Sequence, residues 1–148
     1  MRAMVDIACK LGIERVVISD RPAVPRQSDV ADTDGGNVQF GIDIGRRVAH
    51  EARWPLGQIC PVVGVVADSS MDKVLAHDTG SWEKFIARFG GARSLMKISL
   101  PVYSQDGKRA VVYTESTCPY TCGGGFYHEL EKTYSRWRIT KSVNAWKS

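Results

Sequence analysis

The chain of 148 residues lacks the motifs by which most enzyme families are recognised. It contains no P-loop, no G-x-G-x-x-G fingerprint, no G-x-S-x-G nucleophile motif and no H-E-x-x-H metal motif. It also lacks any apolar run near the roughly 20 residues that a membrane-spanning helix needs. These absences exclude the common nucleotide-binding, serine-hydrolase and zinc-peptidase signatures, and we expect no membrane segment.

Acidic residues are scarce in the second half of the chain. Residues 81–148 carry 11 Lys and Arg against 5 Asp and Glu, a balance of +6, whereas residues 1–80 carry 9 against 11, a balance of −2. The two balances sum to the net charge of +4. A basic half can attract nucleic acid or an acidic protein, but no recognisable nucleic-acid-binding motif accompanies it, so nucleic-acid binding is disfavoured.

The first 11 residues do not resemble a secretory signal peptide, because Asp6 and Lys10 interrupt the apolar stretch. We therefore expect a cytoplasmic protein, or a periplasmic one if a leader has been removed. In the cytoplasm the four cysteines would be thiols by default.

The pattern of residues 1–80 predicts alternating helices and strands. Helical spacing marks residues 1–11, 38–54 and 70–76, with Ser69 or Ser70 as a cap of the last helix. Apolar, β-branched runs mark strands at 13–19 and 62–67. The long segment 21–37 is predicted to be a loop, and its Asp32-x-Asp34-Gly35 lacks the flanking carboxylates of an EF-hand.

The pattern of residues 81–148 predicts one helix followed by an antiparallel meander. Trp82, Phe85 and Phe89 lie on one helical stripe after the N-cap Ser81, and Gly90-Gly91 ends the helix. Alternating strands follow at 96–102, 109–115, 126–133 and 137–143, with a hairpin turn at 105–108. Pro101 predicts an edge position or a bulge in the first of these strands.

These patterns predict a single α+β domain over residues 1–148, with the helices packed on the antiparallel meander. A curved sheet around a helix, as in NTF2-like or cystatin-like folds, is the expected shape by analogy. For residues 1–80 two arrangements stay open, an α/β half with parallel strands or part of one α+β sheet.

The C-terminal half carries a pattern of residues: Trp82-x-x-Phe85, Ala110-x-Val112-Tyr113, Cys118-x-x-x-Cys122-Gly123-x-Gly125, Leu130-x-Lys132, Trp137 and Trp146-x-Ser148. In this pattern the chain resembles a group of small uncharacterised bacterial proteins. The chain departs from the group at Pro119, where glycine is usual, and at Pro101. The resemblance implies a common fold and a bacterial origin, and it implies no activity or site residues.

The most unusual segment holds Cys118 and Cys122, followed by three glycines. It can be a tight turn with the cysteines packed as small apolar groups, a disulfide between Cys118 and Cys122, or a zinc site completed by His128 and Cys60. The spacing is not the C-x-x-C of thioredoxin-like motifs, and only one close ligand pair is visible. The turn is therefore favoured, and we expect no metal and no cofactor.

Asp20 and Asp68 each follow an apolar strand. If the two strands are parallel, these carboxylates meet at one edge of the sheet, where ligands often bind. Aspartates also end strands for purely structural reasons, and we favour that interpretation.

Three functions are compatible with the sequence. The preferred one is a non-enzymatic domain that binds a small ligand or a protein, because no catalytic constellation is present. The second is an enzyme with a site between the acidic N-terminal half and the C-terminal sheet, using Asp20, Asp68 or the cysteines. The third is nucleic-acid binding through the basic half. The sequence assigns no catalytic or ligand-binding residue, and a homo-oligomer stays open.

Overall fold

The computed structural model describes residues 15–25, 52–75, 81–119 and 122–148. Two helices are present in these segments, α1 (Asp68–Leu75) and α2 (Ser81–Arg88). The strands are β1 (Val16–Ser19), β2 (Gly57–Cys60), β3 (Val63–Val66), β4 (Ser94–Ile98), β5 (Val102–Tyr103), β6 (Arg109–Thr117), β7 (Gly124–Thr133) and β8 (Arg136–Lys147). The predicted helix over 1–11, most of that over 38–54 and the acidic loop at 32–35 lie outside the described residues.

All eight strands belong to one mixed sheet with the order β2-β3-β1-β4-β6-β7-β8, and β5 pairs with β6. Strand β1 lies between β3 and β4 and runs parallel to both. The apolar runs of β1 and β3 fit this central position, since parallel strands are covered on both faces. The parallel pairing of β1 with β3 has the direction that the α/β alternative expected, but both strands belong to the same sheet as the antiparallel strands, and β2 pairs with β3 in the antiparallel direction.

The antiparallel half of the sheet runs from β4 to β8. The predicted turn between β5 and β6 is confirmed, and Gly107 in it has a φ of 66°. Pro101 lies in the break between β4 and β5, which pair with successive stretches of β6. Strand β4 lies between β1 and β6, whereas β5, which directly follows the proline, pairs with β6 alone in the described segments, so an edge position, one of the two predicted alternatives, fits the strand after Pro101.

Helix α2 confirms the predicted aromatic stripe. Phe85 is completely buried, and Trp82 and Phe89 pack around the same cluster. This cluster also contains Val17 of β1 and Leu95 of β4, so the helix covers the parallel part of the sheet. Helix α1 contributes Met71 to the cluster and begins at Asp68, before the predicted cap.

The predicted fold, helices packed on an antiparallel meander with an NTF2-like or cystatin-like shape, is therefore wrong. The structure is dominated by a mixed sheet of eight strands, whose outermost strands β2 and β8 do not pair with each other. The two helices are short and lie against β1 and β4, not within a curved meander. The physical reason is that β1 extends the antiparallel strands into a parallel region by pairing with β4.

The antiparallel strands bury their own side chains in two further clusters. One is centred on Tyr113 and Tyr127, which face each other across β6 and β7 with ring centroids 5.1 Å apart. The other joins β1 and β3 to β6 and β7 through Ile18, Val112 and Leu130. Neither helix in the described segments has the length and apolarity needed to cross a membrane.

Candidate functional site

The glycine turn after Cys122 is fixed by the C-terminal end of the chain. The Gly123 backbone N–H donates to the Ser148 Oγ at 2.8 Å, and the Ser148 N–H donates to the Gly123 carbonyl at 3.1 Å. The indole of Trp146 lies over Gly125 and donates its Nε1–H to the Tyr113 hydroxyl at 2.8 Å. A side chain at Gly125 would collide with both rings, since its Cβ would lie 2.5 Å from the Tyr113 Oη.

The two cysteines of this turn are joined in the structure as a disulfide, with their Cα atoms 5.6 Å apart. That separation lies within the usual range for bonded cysteines. The oxidised pair in the isolated protein stays a prediction, which thiol counting tests. Cys60, in β2, is disulfide-bonded as well.

An open cleft of about 730 Å³ lies beside this turn. Its walls are the first turn of α2, the start of β4 and the end of β6 with the cysteine turn. Apolar surface comes from Trp82, Ile86 and Pro119, and the two disulfide-bonded cysteines form part of the wall. The volume falls in the range of about 300–1,000 Å³ that is typical of small-molecule sites. Two other cavities measure about 250 and 370 Å³.

Polar groups enter the cleft from three sides. Glu83 lies in the first turn of α2, Arg93 precedes β4, and three serines complete the lining: Ser81, Ser94 and Ser116. The indole of Trp82 is half-buried and held edge-on to Phe85, with ring centroids 5.1 Å apart. Apolar walls with a few polar groups are the usual composition of a ligand site.

A second polar cluster forms where β1 and β3 end, and it contains both predicted aspartates. The Asp20 Oδ1 accepts the backbone N–H of Asp68 at 2.7 Å, and the Ser19 Oγ donates to the Asp68 Oδ1 at 2.7 Å. Lys97 lies 3.1 Å from that carboxylate and Arg21 lies 3.5 Å from it. The two aspartates that follow the parallel strands β1 and β3 therefore lie together at the ends of these strands.

The electrostatics of this cluster favour a structural role. Burial by itself would raise the pKa of Asp68, but the Ser19 hydrogen bond and the charges of Lys97 and Arg21 outweigh it and lower the pKa below 3.8. A carboxyl group is most efficient in general acid–base catalysis when its pKa is moved upward toward neutrality, which is the opposite direction. Ser19 is completely buried, so its hydroxyl is inaccessible as a nucleophile.

His128 is held between two hydroxyl groups on adjacent strands. Its Nε2 lies 2.9 Å from the Thr114 Oγ1 and its Nδ1 lies 2.8 Å from the Ser142 Oγ. Thr114 is buried and has no other side-chain partner in the described segments, so we infer that its hydroxyl donates to Nε2. The Nδ1–H then donates to Ser142, which is the wrong direction for activating a serine nucleophile.

The zinc alternative is not supported by these positions. In the part of the chain that the structure describes, no three His, Cys, Asp or Glu side chains come together to hold a metal ion. Both nitrogens of His128 are engaged with hydroxyls, and Cys60, Cys118 and Cys122 are in disulfides.

The basic half does not form a continuous cationic face. Glu129 on β7 lies 3.6 Å from Lys141 on β8. Glu131 stands between Arg109 on β6 and Arg138 on β8 in the pairing register. This alternation of signs across three strands is typical of a solvated sheet face.

Sequence reasoning singled out Cys118, Cys122 and Trp82 but missed Glu83, Arg93 and the serines of the cleft. These residues belong to no motif and come from separate elements, so no spacing in the sequence could have indicated them. Comparison of the chain with protein-family models, with curated proteins and with solved structures finds no match.

Proposed function

We propose that this protein is a small-ligand-binding domain that holds its ligand in the cleft between α2 and the Cys118–Cys122 turn. The cleft of about 730 Å³, with the Trp82 indole on one wall and the Cys118–Cys122 turn on another, carries the proposal. A volume of this size can enclose most of the surface of a small organic molecule.

Contacts on two sides of the cleft support binding. Gly123, next to Cys122, is hydrogen-bonded to Ser148, and Trp82 packs on the core of α2. Side chains that are already held by such contacts lose less entropy when a ligand binds.

The placement of perturbed titratable groups favours binding over catalysis. In the described residues the groups with shifted pKa values are Asp68, Asp106 and His128, and none of them lines the cleft. Acid–base enzymes concentrate such groups in the substrate pocket.

The test is a ligand-observed NMR screen of small aromatic and aliphatic compounds against three proteins. These are the wild type, a blocked variant, Ser94→Phe, and a matched control, Ser135→Phe, which places the same ring on an exposed turn outside the cleft. We expect compounds that bind the wild type and the control but lose saturation transfer with the blocked variant. Ser116→Phe, from the opposite wall, serves as a second blocked variant, and thermal melts establish that each protein is folded. Binding that survives in both folded blocked variants would refute the proposal.

A further inference from the structure

The cleft contains two exposed side chains of opposite charge, Glu83 and Arg93. In the described segments neither forms an ion pair or a side-chain hydrogen bond, and they do not pair with each other across the cleft. By contrast, the buried carboxylate of Asp68 is matched by Lys97 at 3.1 Å. The cleft therefore presents one unmatched carboxylate and one unmatched guanidinium beside an apolar wall.

From this arrangement we propose that the ligand is a small zwitterion with an apolar body, of amino-acid or dipeptide size. This inference rests on the proposed function of the cleft. A ligand carboxylate would pair with Arg93, whose planar guanidinium matches a carboxylate in two parallel hydrogen bonds. A ligand ammonium group would pair with Glu83, and the apolar side chain would lie against Trp82 and Ile86.

The arrangement explains why both charges are present in one site. A purely anionic ligand would be repelled by Glu83, and a purely cationic one would be repelled by Arg93. A zwitterion satisfies both groups without leaving a charge unpaired, which is how a site rejects the singly charged analogues. The negative charge of Glu83 also interacts favourably with the N-terminal end of the α2 dipole, so a thermal melt of the Glu83→Gln variant accompanies the binding measurement.

The test measures dissociation constants for L-phenylalanine, its N-acetyl derivative, its amide and the dipeptide glycyl-L-phenylalanine. N-acetylation removes the positive charge and amidation removes the negative one. We expect one of the two zwitterions to bind tightest. The N-acetyl derivative and the amide should each bind about fivefold to tenfold more weakly than L-phenylalanine, which is the range for the loss of a partly exposed ion pair. If the dipeptide is the preferred zwitterion, the same derivatives of the dipeptide are compared.

Two variants test which side chain of the cleft binds which charged group of the ligand. Glu83→Gln is expected to weaken binding of the zwitterion and the amide but not of the N-acetyl compound. Arg93→Gln is expected to weaken binding of the zwitterion and the N-acetyl compound but not of the amide. Equal affinity of the wild type for all charge forms, indifference to both substitutions, or no binding of either zwitterion at millimolar concentration would each overturn the inference.

The control separates this inference from the function on which it rests. If the zwitterions fail but other compounds still bind the wild type and not Ser94→Phe, the ligand class is wrong and the cleft remains the site. If Ser94→Phe and Ser116→Phe, both folded, bind every probe as the wild type does, the proposed function itself is wrong.

Discussion

Replacing Asp68 by Asn tests the structural interpretation of the cluster at the ends of β1 and β3. The substitution keeps the size of the side chain but removes the charge that faces Lys97 and Arg21. It also weakens the acceptor for the buried Ser19 hydroxyl, 2.7 Å away. We expect the weakened Ser19 hydrogen bond to account for most of the lost stability, because Lys97 and Arg21 are partly exposed and can be hydrated by water instead.

A hydrogen bond to a buried charged group contributes about 1.5–3 kcal/mol to stability. Ion pairs with partly exposed partners add less than about 1 kcal/mol each. The expected loss for Asp68→Asn is thus about 2 kcal/mol, which corresponds to a Tm decrease of about 4–8 °C in a domain of this size. Urea unfolding at pH 7 measures the loss of unfolding free energy, and calorimetry measures the decrease in Tm.

The chain provides a matched control in the turn at residues 104–109. There the Ser104 hydroxyl donates to Asp106 at 2.6 Å, a similar serine–aspartate pair on an exposed surface. Asp106→Asn should lower the urea midpoint of unfolding much less than Asp68→Asn does. Equal losses in the two variants, or no loss in Asp68→Asn, would refute a buried structural role for Asp68.

The pH dependence of the same variant gives an independent check. Because the folded-state pKa of Asp68 lies below 3.8, its stabilisation is complete above that pH and is lost as the pH falls through the folded-state pKa. The difference in unfolding free energy between wild type and Asp68→Asn should therefore be constant at neutral pH and shrink in acid. A difference that stays constant down to acid unfolding would contradict the assigned interactions.

Three further predictions concern the antiparallel half. Gly125→Ala should lower the free energy of unfolding by about 1–3 kcal/mol, because a methyl group collides with Trp146, whereas Gly64→Ala meets no atom closer than 4.0 Å and should not show this loss. Burial lowers the pKa of His128 below 6.5, so the free energy of unfolding should decrease as the pH drops from 6.5 toward the folded-state pKa. We expect ¹⁵N NMR to find the proton of the neutral imidazole on Nδ1. Titration of His128 above pH 6.5 would contradict the assigned burial effect. Reduction of the Cys118–Cys122 bond should cost about 2 kcal/mol and make both residues reactive to maleimide. Because Cys60 is disulfide-bonded as well, peptide mapping must locate the label, and maleimide on Cys118 and Cys122 before reduction would refute the disulfide.

The elements that local patterns specify could be predicted from the sequence. The stripe of Trp82, Phe85 and Phe89 repeats at helical spacing, and α2 forms there. Asp106-Gly107 joins two alternating strands, and the turn forms with Gly107 at positive φ. These signals lie within a few residues of one another, so no distant contact had to be known.

The pairing of β1 could not be predicted, and the fold class was wrong as a result. An apolar run such as Val16–Ser19 indicates burial on both faces but does not say which strands lie beside it. Its neighbours, β3 and β4, are far along the chain, and they decide that the sheet is mixed. Strand β2 was missed for a different reason: Gly57–Cys60 is short and mostly exposed.

The candidate site was predicted only in part. Cys118 and Cys122 were conspicuous because of their spacing and the glycines that follow them. The cleft itself is made by α2 and β4 approaching the same turn, and Arg93 enters it from a connection with no distinctive pattern. A cavity is a property of distant elements, so it appears only once their packing is known.

The most direct measurement of the central claim is a ¹H–¹⁵N chemical-shift map of the protein titrated with a compound from the NMR screen. The account predicts that the largest saturable shifts fall on residues 81–86, 93–94, 116–119 and 122, which surround the cleft, and that Ser94→Phe abolishes them. Shifts centred on Asp20 and Asp68, or spread over the sheet without saturation, would contradict a ligand site beside the Cys118–Cys122 turn.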